Sequence, residues 1–301
     1  MIVLLSFCIA YQLTTSTPAS AFQPTDPYID SLKNSSAKIC RERWDFQVKA
    51  NGRQSRGNGK DPQIEGTQVR KHNTNRTLHV HVGKTGGTEI HQYIRRISQE
   101  LHVHALVADM IRDFETIVIS LRNPVDRLIS AYYFTHPLLS SKERLKPSDL
   151  LNATLVRRDY GRFYYQFPTL KDYGDALFET SERGDAARHG TGHINMDMCA
   201  YMGGVLSELW KVKEHVFIVN TESMIADLKD ISMKLDWNID FDEPHDKANV
   251  NSIKPNVLSM QTYMQLAGFL EANGEILIYN TLKANFWHPH RDVNRTSYNN
   301  E

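Results

Sequence analysis

The stretch from Leu78 to Thr88, LHVHVGKTGGT, constrains this chain more than any other. An alternating apolar run ends in a glycine-rich turn carrying one lysine and two threonines, and Glu89 to Ser98 continues as a helix. Strand, glycine turn and helix together make an oxyanion cradle. Gly86 and Gly87 have no Cβ, so backbone N–H groups can close on a phosphate or a sulfate. The start of the helix adds partial positive charge and Lys84 adds a full one. The residue order excludes the commoner cradles. A Walker A loop would put Leu78 where its first glycine belongs, and here the lysine precedes the glycine pair instead of following it. A dinucleotide G-x-G-x-x-G is absent. A magnesium-dependent triphosphatase would also place a carboxylate at a neighbouring strand end, whereas the next strong strand, Thr116 to Leu121, runs into Arg122.

That second strand leads into Arg122 to Phe134, RNPVDRLISAYYF. Pro124 ends the strand and suits the first turn of a helix. On that helix Arg127, Ser130 and Phe134 share a face. Arg122 at the strand end and Ser130 in the helix can grip a second phosphate together.

With both motifs in order, the chain resembles the carbohydrate sulfotransferases of the Golgi lumen. His81 to Thr88 is similar to their 5′-phosphosulfate loop, H-[IV]-P-K-T-G-G-T. Arg122 to Phe134 is similar to their 3′-phosphate motif, R-D-P-x-x-R-x-x-S-x-Y-Y. Two departures stand out. Gly83 replaces a proline and is expected to loosen the loop entry, and Asn123 replaces an aspartate beside Arg122. Fainter echoes follow at Asn195 to Gly203, Val216 to Glu222, and Asn249 to Tyr279. The resemblance implies an α/β, P-loop-like three-layer fold with a central parallel sheet flanked by helices. It also implies transfer of a sulfuryl group from 3′-phosphoadenosine 5′-phosphosulfate (PAPS) to a carbohydrate hydroxyl, without a metal. Lys84 would neutralise the leaving phosphate, with Thr85, Gly86, Gly87 and Thr88 holding the 5′-phosphosulfate. Arg122 and Ser130 would hold the 3′-phosphate, and Ser252 and Lys254, with Asn251, would return over the nucleotide.

An acceptor hydroxyl needs a base, and histidine titrates near working pH. In the extended stretch Leu101 to His104, His102 and His104 lie on one face. The pair resembles the H-x-H of the uronyl 2-O-sulfotransferases, which makes His104 the expected base and His102 the next. The alternative is a pair of structural histidines at a strand edge. His189 and His193 flank a glycine-rich loop and are outside candidates. Arg157, Arg158 and Arg162, interleaved with Tyr160, Phe163, Tyr164 and Tyr165, suit an acidic sugar through salt bridges and ring stacking. The same pattern would also serve as a charged surface over core aromatics. His288 and His290 bring no third residue at metal spacing.

The 301 residues carry 35 cationic and 35 anionic side chains, so any acidic substrate meets a local basic patch and nothing calls for a nucleic-acid partner. Residues 1–21 read as a signal peptide ending in the small-x-small Ala19-Ser20-Ala21, with a short uncleaved membrane anchor as the alternative. Residues 22–75 are polar and glycine-rich and read as a stalk, with one short helix around 39–48. Residues 76–301 are the expected catalytic domain, with strands near 78–82, 101–105, 116–121 and 216–220 alternating with helices. Helices and loops across 138–195 are expected over the site. Sequons at Asn34, Asn75, Asn152 and Asn294 suit the secretory pathway. Outside the leader, Cys40 and Cys199 are either a bridge tying the N-terminal arm to the core or two thiols. Two other classes compete: a P-loop phosphotransferase, and a non-catalytic glycan-binding relative. The oligomeric state is left open.

Overall fold

The structure, a computed structural model, describes residues 31, 35–36, 38–40, 77–102, 106, 108–136, 158–202, 205–241 and 258–287. Four parallel strands, β1 (Thr77–His81), β2 (Ser98–His102), β3 (Thr116–Leu121) and β4 (Val216–Asn220), form one sheet in the order β2-β1-β3-β4. The helices are α1 (Gly87–Ile94), α2 (Ala108–Asp113), α3 (Pro124–Thr135), α4 (Arg158–Gln166), α5 (Leu170–Ala176), α6 (Glu182–His189), α7 (Met198–Met202), α8 (Leu206–Lys211), α9 (Met224–Lys234), α10 (Met260–Ala272) and α11 (Glu275–Asn285). The chain is thus α/β with a parallel sheet, as expected.

The two inner strands β1 and β3 and the outer β4 are buried almost throughout. Burial on both faces of a parallel sheet selects continuous apolar runs, and the runs at 116–121 and 216–220 coincide with β3 and β4. Leu78, Val80, Ile117, Ile119, Val216 and Ile218 pack with Tyr201, Ile278 and Leu282. The intervening Val118, Phe217 and Val219 pack with Ile90 and Ile94 of α1 and with Leu228 and Ile231 of α9. A third, aromatic cluster joins α3, α4, α5 and α10 around Tyr132, Tyr164, Phe167 and Tyr173. Tyr164 donates to the Tyr132 carbonyl at 2.8 Å and Tyr132 to the Phe167 carbonyl at 2.7 Å, so these phenols are satisfied within the core.

Three local differences from the sequence reading have physical causes. The helix after the cradle is shorter, because Ser98 Oγ donates to the Ile94 carbonyl at 2.8 Å and Ile97 N–H bonds the same oxygen at 2.9 Å. The second strand therefore starts at Ser98 rather than at 101. Among the described residues it is the sheet edge and pairs on one side only, which tolerates the polar stretch Ser98-Gln99-Glu100. The N-terminal arm, read as a stalk with a bridge to the core as one alternative, is tied to the core at its described residues. Cys40 and Cys199 form a disulfide, both fully buried, and Ser36 Oγ lies 3.1 Å from Thr281 Oγ1 of α11. Ser35, Ser36 and Lys38 to Cys40 are helical, and residues 41–48 of the expected 39–48 helix lie outside the described residues.

Candidate functional site

Parallel pairing brings the carboxyl ends of all four strands to one edge of the sheet, where open α/β sheets bind ligands. The chain leaves β1 at His81, turns through Val82 to Gly86, and enters α1. Two residues of the turn are left-handed, Lys84 at φ 69° and Gly86 at φ 72°. Alternation of that kind converges successive N–H groups on one point. Lysine is disfavoured there by about 1–2 kcal/mol, so the turn must be held from outside.

Thr85 is the hold. Its hydroxyl donates to the Val82 carbonyl at 2.5 Å and lies 2.7 Å from Ser120 Oγ of β3. Its N–H bonds the Val82 carbonyl at 3.3 Å, and its carbonyl accepts from Thr221 Oγ1 at 2.9 Å. The Thr85 hydroxyl thus turns inward to Ser120 of β3, its amide closes the turn on Val82, and its carbonyl ties the loop to Thr221 just past β4. Thr221 Oγ1 also lies 3.0 Å from the Leu121 carbonyl, which joins the ends of three strands.

The glycines have distinct reasons. A Cβ on Gly87 would lie 1.9 Å from the His81 ring, so the start of α1 seats directly on that imidazole. A Cβ on Gly83 would lie 2.3 Å from Tyr201 Oη and 2.5 Å from His193 Nδ1. The entry expected to be loose is therefore tightly covered. Gly86 caps α1 with no side-chain bond, and Glu89 and Ile90 N–H both reach the Gly86 carbonyl. The amides of Gly87 and Thr88 thus open the helix as donors without an intrahelical partner. Thr88 is exposed and Lys84 half-buried. The Lys84 ammonium stands 3.5 Å from the centroid of the Phe134 ring, a cation–π contact that fixes the charge beside the loop.

The second motif meets the first. Arg122, just past β3, donates from Nη1 to the Lys84 carbonyl at 3.4 Å. Asn123 caps α3 by accepting from Val125 N–H at 2.9 Å and Asp126 N–H at 3.4 Å, the service an aspartate would give without its charge. Ser130 is buried on α3. Arg127 is committed elsewhere: only 1% exposed, it pairs with Glu275 at 3.2 Å and donates to the Met196 and His193 carbonyls at 2.9 and 3.4 Å.

Among the histidines, His102 ends β2 in register with His81, at the same sheet edge as the loop. His104, Arg157, Ser252, Lys254 and Asn251 lie outside the described residues. Arg158 opens α4, and Arg162 is exposed on it, while its neighbours Phe163 and Tyr164 belong to the aromatic core. The structure adds residues that sequence reasoning ranked low or missed. His193, an outside candidate, has its ring 5.7 Å from Phe134 and its Nδ1 3.4 Å from Tyr201 Oη. Tyr201 is fully buried, with burial holding its phenol pKa up while the Arg127 charge and the Gly83 backbone act to lower it. The NMDMCAYMG echo was the only sequence signal for Tyr201; nothing marked Ser120 or Thr221. His189 instead bonds within α6, Nδ1 lying 2.8 Å from the Asp185 carbonyl.

Among the described residues, no group of three or more His, Cys, Asp or Glu side chains is arranged to hold a metal ion. No helix among them is long and apolar enough to cross a membrane. No family model, curated protein or solved structure matches the chain.

Proposed function

We propose that this protein is a PAPS-dependent carbohydrate O-sulfotransferase of P-loop-like, three-layer architecture. The observation that carries the reading is the meeting of the two motifs: the Arg122 guanidinium bonds the carbonyl of Lys84 at the carboxyl edge of a parallel sheet. A bisphosphorylated nucleotide would span such a pair, with its 5′-phosphosulfate on the Gly86 to Thr88 amides and its 3′-phosphate between Arg122 and Ser130. The donor set fits that group, since Lys84, Arg122 and a helix start without a side-chain cap all favour anions.

Sulfuryl transfer moves SO₃ from the phosphate leaving group to an acceptor oxygen, and negative charge grows on the departing phosphate. Lys84 would meet that charge, and swinging from Phe134 toward the bridging oxygen is its task. His104, with His102 next, would take the acceptor hydroxyl proton as the S–O bond forms. Arg157, Arg158 and Arg162 would face an acidic glycan. The buried Cys40–Cys199 disulfide supports an oxidising compartment, in keeping with the secretory pathway and Golgi lumen, either anchored or secreted.

The test is transfer from sulfur-labelled PAPS to a panel of desulfated and uronic-acid glycans. Label incorporation by the wild type, lost in His104→Ala or His102→Ala, supports the reading. Incorporation unaffected by both variants refutes the base. No incorporation into any glycan, with tight nucleotide binding retained, favours the non-catalytic glycan-binding alternative.

A further inference from the structure

Gly83 stands where the resembled family has a proline, and in this chain a tyrosine from another part of the fold occupies the vacated space. An ideal Cβ at position 83 would meet Tyr201 Oη at 2.3 Å. The phenol has little room to retreat. Tyr201 is fully buried, its carbonyl accepts Leu106 N–H at 2.8 Å, and Cys199, two residues earlier on α7, is bonded to Cys40. The Gly83 backbone also acts on this hydroxyl, working against burial to lower its pKa. The phenol oxygen therefore fills the side-chain volume at 83.

We propose that Tyr201 is a positioning residue for the anion loop, bracing its entry by a tertiary contact where a proline ring would brace it within the chain. The next residue along is Lys84, held left-handed at φ 69° with its ammonium on Phe134. His193, 3.4 Å from Tyr201 Oη and 5.7 Å from the Phe134 ring, links the brace to the ring that holds the lysine. Freeing Gly83 would thus free both the amides and the ammonium that face the ligand. The consequence for ligand affinity rests on the sulfotransferase reading of this loop; the brace itself does not.

The test compares four full-length proteins: wild type, Tyr201→Phe, Gly83→Pro, and the two substitutions combined. Two readouts need no ligand: thermal stability, and hydrogen exchange at the Thr85 to Thr88 amides. The third is calorimetric affinity for 3′-phosphoadenosine 5′-phosphate. Tyr201→Phe is expected to speed loop exchange about tenfold and weaken the nucleotide by a similar factor, the effect of removing a buried hydroxyl that packs on Gly83 and lies 3.4 Å from His193 Nδ1, with exchange in β3 unchanged. Gly83→Pro alone is expected to be worse, since its ring meets both Tyr201 Oη and His193 Nδ1. The double variant is expected to bind and fold better than Gly83→Pro yet fall short of wild type, because removing the phenol oxygen clears the nearer contact while His193 Nδ1, 2.5 Å from the same Cβ position, remains. A Gly83→Pro protein that does not fold, rescued by adding Tyr201→Phe, supports the brace. Unchanged loop exchange in Tyr201→Phe overturns it, as does a double variant no better than Gly83→Pro. A wild type that does not bind the nucleotide overturns the ligand reading instead, and the exchange comparison still decides the role of Tyr201.

Discussion

Glu275→Ala removes one partner of the most buried ion pair among the described residues. Arg127 and Glu275 side chains are each 1% exposed and meet at 3.2 Å, and Glu275 Oε1 also accepts Met198 N–H at 2.9 Å. Alanine leaves the guanidinium without its counter-ion, at a cost of about 3–5 kcal/mol. It also leaves the Met198 amide without its acceptor, worth about 1–3 kcal/mol more. These groups form one network, so their contributions overlap and the total is taken as about 4 kcal/mol. At about 2–4 °C per kcal/mol for a domain of this size, the melting temperature should fall by roughly 8–16 °C. Urea denaturation of the full chain supplies the free energy, and calorimetry the midpoint. Arg127→Met combined with Glu275→Leu should be less harmful than the sum of its singles, since neither charge is then stranded. A Glu275→Ala loss below about 1 kcal/mol, or strict additivity in the double variant, would refute the view that Arg127 serves the fold rather than the ligand.

Lys84→Ala should reduce transfer by roughly 10²–10³ or more while leaving the urea midpoint nearly unchanged, because the ammonium rests on a half-exposed ring rather than in the core; near-normal turnover would sink the leaving-group role. Cys40→Ser with Cys199→Ser should cost roughly 2–5 kcal/mol, the bond closing a separation of 159 residues, and a reduced protein that melts at the wild-type temperature would contradict this. Burial lowers the pKa of His136 below 6.5, against the opposing bond from the Pro168 carbonyl 3.0 Å from its Nε2. The folded state therefore resists a proton that the unfolded state accepts, and stability should fall as pH drops below about 6.5, by at most about 1.4 kcal/mol per pH unit. His136→Gln should flatten that slope in urea titrations at pH 7.5 and 5.5; an unaltered slope would assign it to other groups.

The strands β3 and β4 were legible because burial on both faces writes itself as an apolar run, β1 because its alternation of apolar residues runs into the glycine turn, and the cradle because a left-handed helix start favours glycine. β2 was misplaced because an edge strand can afford polar residues. Helix α11 was not assigned: its sequence EILIYNTLKAN has no clean apolar stripe, and its key contact, Glu275 to Arg127, spans 148 residues. Arg127 illustrates the limit of motif reading. It shares a helix face with Ser130, yet a carboxylate supplied from far along the chain draws it into the core. Gly83 illustrates the same point in reverse. By local rules a glycine for a proline loosens a turn, and only the fold shows that Tyr201 and His193 close on it. Thr85 shares its letter with Thr88 in the same loop, but Ser120 beneath turns it inward.

The central claim, that the loop after β1 and the arginine after β3 grip one bisphosphorylated nucleotide, is tested most directly by calorimetric titration of the full chain. The ligands are 3′-phosphoadenosine 5′-phosphate, ADP and GTP, each with and without magnesium. The account predicts tight binding of the first alone, indifferent to magnesium and weakened by Arg122→Ala or Ser130→Ala. Binding only to a magnesium triphosphate would contradict it and favour phosphoryl transfer.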